Sequence, residues 1–168
     1  MRTHYANSSA FYFDVADYFF AEKMSDYATR VLSNLFEYRI FDDRQIWRVY
    51  MQRLLNAGEL DEAEITVRSI SARKSSPARD DDDPDFDSEN SEIYWSYQLA
   101  RVYDMRARKN KDPQDARRAL NIYHNLIAST VEATQTVGFA ALEEFNSLVV
   151  WVIVMDIINN TMYNVSFL

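Results

Sequence analysis

The apolar residues of this chain recur at intervals of three and four positions, and this spacing predicts amphipathic helices. Tyr12, Val15 and Phe19 form one such series, and Ala28, Val31 and Leu32 form the next. Similar double series follow twice more along the chain. The pattern therefore predicts three antiparallel helix pairs, within 11–40, 46–70 and 93–127.

The first two pairs align with each other at an offset of 35 residues. This offset brings Tyr12 onto Trp47 and Ala28 onto Ala63, so a large aromatic residue and a small residue recur at matching positions. A small residue allows two helix backbones to approach closely, and a large one fills the space beside them. We therefore predict that the two pairs are copies of one structural unit.

Each pair needs a turn between its helices. Gly58 supplies it in the second pair, because glycine adopts a positive φ without steric cost. In the first pair Lys23-Met24 stands in its place, which makes that turn less typical. In the third pair Asp112-Pro113 predicts the start of the second helix, whose small residue is aligned on Ala119. The segment Met105–Lys111 is predicted as a turn about seven residues longer than the others.

The second pair resembles a known repeat. Trp47, Gly58, Leu60 and Ala63 stand where the tetratricopeptide repeat has its first-helix tryptophan, its turn glycine, a packing leucine or aromatic residue, and its small second-helix residue. The resemblance implies an all-α fold, namely a short right-handed solenoid of antiparallel helix pairs with a C-terminal capping helix. It also implies a concave surface that binds a peptide.

The order of segments along the chain is similar to a larger arrangement. Asp14–Leu35, then the second pair, then Tyr97–Tyr103 and Ala141–Val149 resemble the helical-repeat region of multidomain proteins. Those proteins also carry a vault-inter-alpha-trypsin domain and a von Willebrand factor A domain. This resemblance implies an alternative in which the chain is a fragment whose helices pack on an absent domain.

Charge is concentrated in one segment. The net charge is −8, and the eight acidic residues between Asp80 and Glu92, with no Lys or Arg among them, account for all of it. Such a block repels itself and has little to bury, so it predicts an acidic disordered linker. The chain then divides into a tail (1–10), pairs 1 and 2 (11–72), the linker (73–92), pair 3 (93–130), and a C-terminal helix and tail (131–168).

The linker also has a calcium interpretation. Asp81, Asp83, Asp85 and Glu92 occupy the first, third, fifth and twelfth positions of an EF-hand-like loop. Phe86 stands where the sharp turn of that loop requires glycine. We therefore predict a solvated acidic loop and no metal site, with a calcium-responsive binding module as an alternative.

Composition argues against catalysis. The chain has two glycines, no cysteine and two histidines, so it lacks the phosphate loops, dinucleotide fingerprints and thiolate sites that many enzymes use. The adjacent Glu143 and Glu144 point about 100° apart on a helix and do not converge on one substrate. His124 has no ligand-type residue one helical turn away. We predict a non-catalytic protein without a cofactor.

A basic stretch lies between 101 and 118, with Arg101, Arg106, Arg108, Lys109, Lys111, Arg117 and Arg118. The sequence pI near 4.7 argues against nucleic acid, since phosphate binding depends on an uncompensated positive field. An acidic peptide, or the acidic segment of the chain itself, fits this stretch better than nucleic acid does. We predict a plain solvated face ahead of either use.

The C-terminal segment predicts one helix from about Phe139 to Ile158. Its uninterrupted apolar run, Leu148–Met155, is far shorter than the roughly twenty residues that span a bilayer, so no membrane span is expected. We predict a capping or docking helix. If it is exposed, self-association would follow through Val149, Trp151, Val152 and Val154.

The function predicted from the sequence is a protein–protein interaction scaffold that binds a protein or peptide partner. The candidate contacts are first-helix residues that face the groove, namely Tyr18, Arg48, Gln52, Gln98 and Arg101. The N-terminal sequence has no apolar stretch typical of a signal peptide, so the default compartment is cytoplasmic.

Overall fold

The computed structural model describes residues 8–37, 44–74, 88–129 and 135–165. Every regular element within these ranges is an α-helix, which confirms the all-α prediction. The seven helices of the described residues are α1 (Ser9–Ala21), α2 (Ser25–Glu37), α3 (Arg44–Ala57), α4 (Leu60–Lys74), α5 (Ser88–Asn110), α6 (Pro113–Ser129) and α7 (Gln135–Val165). The chain divides inside α4 into two compact units, Met1–Thr66 and Val67–Leu168.

Helices α1 and α2 form a hairpin in the first unit. Ser8 caps α1, with its Oγ accepting a hydrogen bond from the backbone N–H of Phe11 at 3.3 Å. α1 and α2 pack against each other, and Ala16 and Ala28 are completely buried. These two small residues permit the close approach of the helices, as the sequence pattern predicts for Ala28.

Helix α3 buries one apolar face and turns directly into α4. Trp47, Tyr50, Met51 and Leu54, spaced by three and four, are all buried. Ala63 of α4 is completely buried, as is its aligned counterpart Ala28. The hydroxyl groups of Tyr50 and Thr66 are hydrogen-bonded, which fastens α3 to the first half of α4.

Each of the three helix-to-helix turns that the structure describes contains a residue in the left-handed conformation. The φ angles are 59° at Lys23, 75° at Gly58 and 55° at Lys111. The first two turns have the same pair of hydrogen bonds: Lys23 and Gly58 donate to the carbonyls of Phe20 and Leu55, and the next residues donate five positions back. Asp112 donates to Ala107 in the same five-position pattern.

The prediction of a longer third turn is wrong. α5 continues to Asn110, so Met105–Asn110 is helical and the turn is as short as the other two. Met105–Lys109 consists of Met, Arg, Ala and Lys residues, which are all good helix formers. The small residue five positions after the left-handed residue is Ala116, 2% exposed, and it occupies the place of Ala28 and Ala63 that the sequence alignment gave to Ala119.

Helices α5, α6 and α7 enclose the core of the second unit. Its buried members are Ala100, Tyr103, Ala107, Ala116, Ala119, Tyr123, Leu126, Ala141 and Leu148. α5 begins at Ser88 and α7 extends over Gln135–Val165, so both helices are longer than predicted. Lys74 and Ser88 are helical, which shortens the predicted linker at both ends. The rest of that linker, 75–87, lies outside the described residues, and so does 1–7 of the N-terminal tail.

A buried ion pair joins α5 to α6. Arg106 forms a fork with Asp115, Nε to Oδ2 at 2.6 Å and Nη2 to Oδ1 at 3.2 Å. Arg118 adds a third hydrogen bond to Asp115 at 3.0 Å. Asp115 is 3% exposed, and its hydrogen bonds with Arg106 hold the pKa of its carboxyl below the usual value. The contact between α5 and α6 thus includes a buried carboxylate and a largely buried guanidinium.

Candidate functional site

The first helices of pairs 1 and 2 lie side by side in the first unit. Arg53 of α3 reaches Asp17 of α1 through a fork of two 2.8 Å hydrogen bonds. Its guanidinium carbon also lies 4.6 Å from the ring centroid of Phe13, a buried residue of α1. We call the surface formed by the solvent-facing residues of α1 and α3 the first-helix face.

An open cavity of about 360 Å³ lies on this face, beside the Asp17–Arg53 ion pair. It is lined by Asp17, Phe20, Lys23, Ser25, Arg53, Asn56 and Ala57. The left-handed turn at Lys23 ends α1 beside this cavity. The lining therefore combines the aromatic ring of Phe20 with acidic and basic side chains. This composition suits a peptide better than an apolar small molecule.

Three of the predicted contact residues are exposed on the first-helix face. Tyr18 is 62% exposed, and its ring meets that of Phe19 edge to face at 5.6 Å between centroids. Arg48 and Gln52 lie one turn apart on α3, and Gln52 Nε2 donates to Asn56 Oδ1 at 2.8 Å. Tyr18 follows Asp17 on α1 and Gln52 precedes Arg53 on α3, so both lie on helices that the ion pair joins.

The other two predicted residues lie in the second unit. Arg101 Nη1 donates to Gln98 Oε1 at 3.4 Å, so these two side chains meet. Gln98 is only 5% exposed and offers a ligand little surface. It shares a helix face with Trp95 and Val102, which are both buried. Arg101 is half-buried.

A second cavity lies in the first unit, at residues that the sequence pattern did not predict as a site. This open cavity of about 580 Å³ is lined by Asp26, Tyr27, Thr29, Arg30, Ser33, Glu59 and Glu62. Tyr27 is 57% exposed and stacks on Phe19 at 5.7 Å. The polar series Asp26, Arg30 and Ser33, at helical spacing, is the sequence signal that marks this face.

Within the described residues, no group of three His, Asp or Glu side chains is arranged to hold a metal ion. His124 and Glu143 are exposed and Glu144 is half-buried, each on the surface of its helix. The calcium-loop residues Asp81, Asp83 and Asp85 lie outside the described residues.

Helix α7 contains a long apolar stretch. Val137–Ile157, 21 residues with a mean hydropathy of 1.6, is long and apolar enough to cross a membrane by length and composition. Ala141 and Leu148 of this stretch are buried in the core of the second unit, and Trp151 and Val152 pack against that core. Four apolar residues at helical spacing are instead 45–61% exposed: Val150, Ile153, Val154 and Ile157.

The exposed set differs from the one expected for self-association. Val154 belongs to both sets. Trp151 and Val152 instead pack against the core of the second unit, and Val149 is half-buried. An apolar run does not reveal which of its faces meets the neighbouring helices.

Comparison with models of protein families, with curated proteins and with solved structures finds no match to this chain.

Proposed function

We propose that the protein is a non-catalytic protein–protein interaction module, whose ligand surface is the first-helix face. The observation that carries the proposal is the arrangement of α1 and α3. Each helix buries one face, with Phe13 and Ala16 buried on α1 and Trp47 and Met51 buried on α3. Tyr18, Arg48 and Gln52 are exposed on the same two helices, which the Asp17–Arg53 ion pair joins. Rigid helices that present a tyrosine and arginines are typical of peptide-binding surfaces.

A tetratricopeptide-like solenoid is part of this proposal, and three features support it. Lys23 and Gly58 are 35 residues apart and share one turn geometry. The Asp17–Arg53 pair joins residues separated by 36 positions. The hydrogen bond between Arg68 and Tyr103 joins residues separated by 35. Contacts at one repeat length are expected where each repeat packs on the next.

Preorganisation of the surface gives the proposal a physical basis. The double hydrogen bond to Asp17 and the contact with Phe13 hold Arg53 in one conformation before a ligand arrives. A side chain that is already ordered loses less entropy on binding. A ligand on this face would therefore find Arg53 already ordered.

The experiment is a selection from a displayed library of random peptides, followed by affinity measurement with the selected, fluorescently labelled peptides. The test variant carries Tyr18→Ala, Arg48→Ala and Gln52→Ala. The matched control carries Tyr27→Ala, Arg30→Ala and Ser33→Ala, which removes the same kinds of side chain from exposed positions of α2. We expect affinity to fall more than about tenfold in the test variant and less than about twofold in the control. Equal losses in both, or failure to recover any binding peptide, would contradict the proposal.

A second candidate function is docking of α7 against a neighbouring domain, in which case the chain is the helical part of a larger protein. The exposure of Val150, Ile153 and Val154 favours it, because contiguous exposed apolar residues mark interaction surfaces.

A further inference from the structure

The outer side of α7 carries a short apolar strip. Val150, Ile153, Val154 and Ile157 are 61%, 53%, 45% and 59% exposed. With 3.6 residues per turn, they lie on the side of the helix opposite Leu148, which is completely buried in the core of the second unit. Within the described part of the chain, the packing of α7 on its own unit leaves these four side chains accessible. We call them the α7 strip.

The chemistry of the α7 strip favours an apolar partner surface. All four residues are β-branched, so their χ1 angles are already restricted and little side-chain entropy is lost when a partner covers them. α7 contains no Lys or Arg, and none of its acidic residues belongs to the strip. A polar partner surface would lose its hydration here without gaining a hydrogen bond. The strip therefore fits another apolar helix face.

The α7 strip is complementary to itself. Its members are separated by three, one and three positions, so the spacing is the same in both directions along the helix. If a second α7 lies antiparallel to the first, with a two-fold axis between Ile153 and Val154, Val150 faces Ile157 of the second copy. Ile153 then faces Val154, and every layer of the contact holds one Val and one Ile.

Packing and area support a reversible antiparallel dimer. Facing a smaller residue with a larger one gives layers of equal volume, whereas a parallel pair would place Ile against Ile and Val against Val. Antiparallel helices also bring opposite ends of their dipoles together. Four half-exposed Val and Ile side chains offer roughly 300 Å² of apolar surface, so two copies bury about 600 Å² besides the polar rim. Interfaces below about 1,200 Å² are typical of weak, transient complexes.

We propose that the α7 strip is a homodimer contact, which binds the α7 strip of a second copy in antiparallel orientation across a two-fold axis. A second copy is the occupant because the spacing is self-complementary, whereas an unrelated partner would place no such condition on it. A two-fold contact uses the same patch on both copies, so association stops at the dimer. The proposal does not depend on the first-helix face, and either can fail without the other.

The first experiment follows the mass of the full natural chain by sedimentation equilibrium from about 10 to about 500 μM, the range in which a small interface associates. We expect the average mass to rise from that of one chain towards that of two. A mass that stays at one chain over the whole range would overturn the proposal. Growth beyond two chains would also overturn it, because a two-fold contact is closed.

The second experiment locates the contact by disulfide cross-linking, since the chain has no cysteine of its own. In the antiparallel dimer the two copies of position 153 are about 1.5 Å apart along the helix axis, and the two copies of position 150 about 10 Å apart. A disulfide needs Cα atoms within about 7 Å of each other. Under mild oxidation we expect Ile153→Cys to form covalent dimers at least about tenfold faster than Val150→Cys and the exposed control Glu143→Cys.

An equimolar mixture of Val150→Cys and Ile157→Cys should cross-link as fast as Ile153→Cys, because these positions face each other across the axis. Equal rates for Ile153→Cys and Val150→Cys would indicate a parallel pair, and a rate for Glu143→Cys equal to both would indicate random collision; either result overturns the proposal.

A lipid bilayer is the competing occupant, because Val137–Ile157 is long and apolar enough to cross a membrane. Phosphatidylcholine vesicles are therefore added to Ile153→Cys. Cross-linking that persists supports the proposal. If the chain sediments with the vesicles and no longer cross-links, the assignment to a second copy is wrong.

Discussion

Lys23 and Gly58 show how one residue sets the conformational free energy of a turn. Both are left-handed, with φ angles of 59° and 75°, and both sit in the same hydrogen-bonded turn. An L-residue with a side chain loses roughly 1–2 kcal/mol in this conformation, whereas glycine does not. The first hairpin therefore carries a local strain that the second one avoids.

We expect Lys23→Gly to raise the free energy of unfolding by about 0.5 kcal/mol, because relief of the strain exceeds the extra entropy that glycine loses on folding. Gly58→Ala should lower the same quantity by about 1 kcal/mol. Urea denaturation followed by circular dichroism measures both. Lys23→Ala is the control: it keeps a Cβ at this position and should not stabilise the protein.

The hydroxyl of Tyr123 is the clearest local defect of the second unit. Tyr123 is completely buried, and its hydroxyl has no hydrogen-bond partner within the described residues. An unsatisfied buried hydroxyl is unfavourable by about 1–3 kcal/mol. Tyr123→Phe should therefore raise the midpoint of urea unfolding, since it removes the hydroxyl and keeps the ring. Tyr103→Phe, which loses the hydrogen bond that Tyr103 accepts from Arg68, should lower that midpoint.

Tyr50 predicts a loss of stability at alkaline pH. Burial raises the pKa of Tyr50 to about 12, against the opposing effect of its hydrogen bond with Thr66. The folded state thus holds a proton that the unfolded state releases near pH 10. The contribution of Tyr50 to the free energy of unfolding is therefore complete below about pH 10, and it is lost as the pH rises from about 10 to about 12. Urea midpoints measured across this range should fall, and the fall should be smaller in Tyr50→Phe. Equal slopes in the two proteins would contradict the assignment.

At the scale of an element, the α5–α6 hairpin depends on a buried charge. Asp115 accepts three hydrogen bonds from two arginines and is nearly inaccessible to solvent, whereas Asp17 pairs with Arg53 at the surface. Removing one partner of a buried pair leaves an uncompensated charge, and removing one partner of an exposed pair does not.

We expect Asp115→Asn to lower the free energy of unfolding by about 3 kcal/mol and Asp17→Asn to lower it by less than about 1 kcal/mol. The lowered pKa of Asp115 adds a pH signature. Its contribution is present above the pKa of an unfolded aspartate, near 4, and is lost as the pH falls below that value. Urea denaturation at neutral and acidic pH measures the free energy of unfolding of Asp115→Asn and Asp17→Asn. Equal losses in the two variants at neutral pH would contradict the role of Asp115 as a buried ion-pair partner.

At the scale of the whole molecule, α7 has two faces with different roles. Ala141 and Leu148 belong to the core, so truncation before Leu148 would remove core packing together with the exposed strip. Substitution of exposed residues separates the two roles. Val150 and Ile153 are 61% and 53% exposed, so charges are tolerated there without burial.

We expect the natural chain to self-associate through this strip and Val150→Lys with Ile153→Lys to abolish association while helicity is kept. Size-exclusion chromatography with light scattering measures the mass of each. Asn146→Lys with Glu143→Gln, which changes the charge by the same amount at exposed positions of the same helix, is the control and should still associate. A monomeric natural chain would rule out a self-association role for the strip.

The sequence by itself determined the helical class and much of the first two pairs. Residues 35 positions apart match in kind, and the structure buries both small residues, Ala28 and Ala63. Of the aligned aromatic pair it buries Trp47 and leaves Tyr12 half-buried. Helical periodicity and turn chemistry are local properties, so they can be read from neighbouring residues.

Tertiary structure decided what depends on residues far apart in the chain. It extended α5 through Met105–Asn110, buried Gln98 and placed Arg68 on Tyr103, 35 residues away. It also chose which face of α7 meets the core. A helix that is apolar on several sides has no local signal for its buried face, because packing against other helices makes that choice.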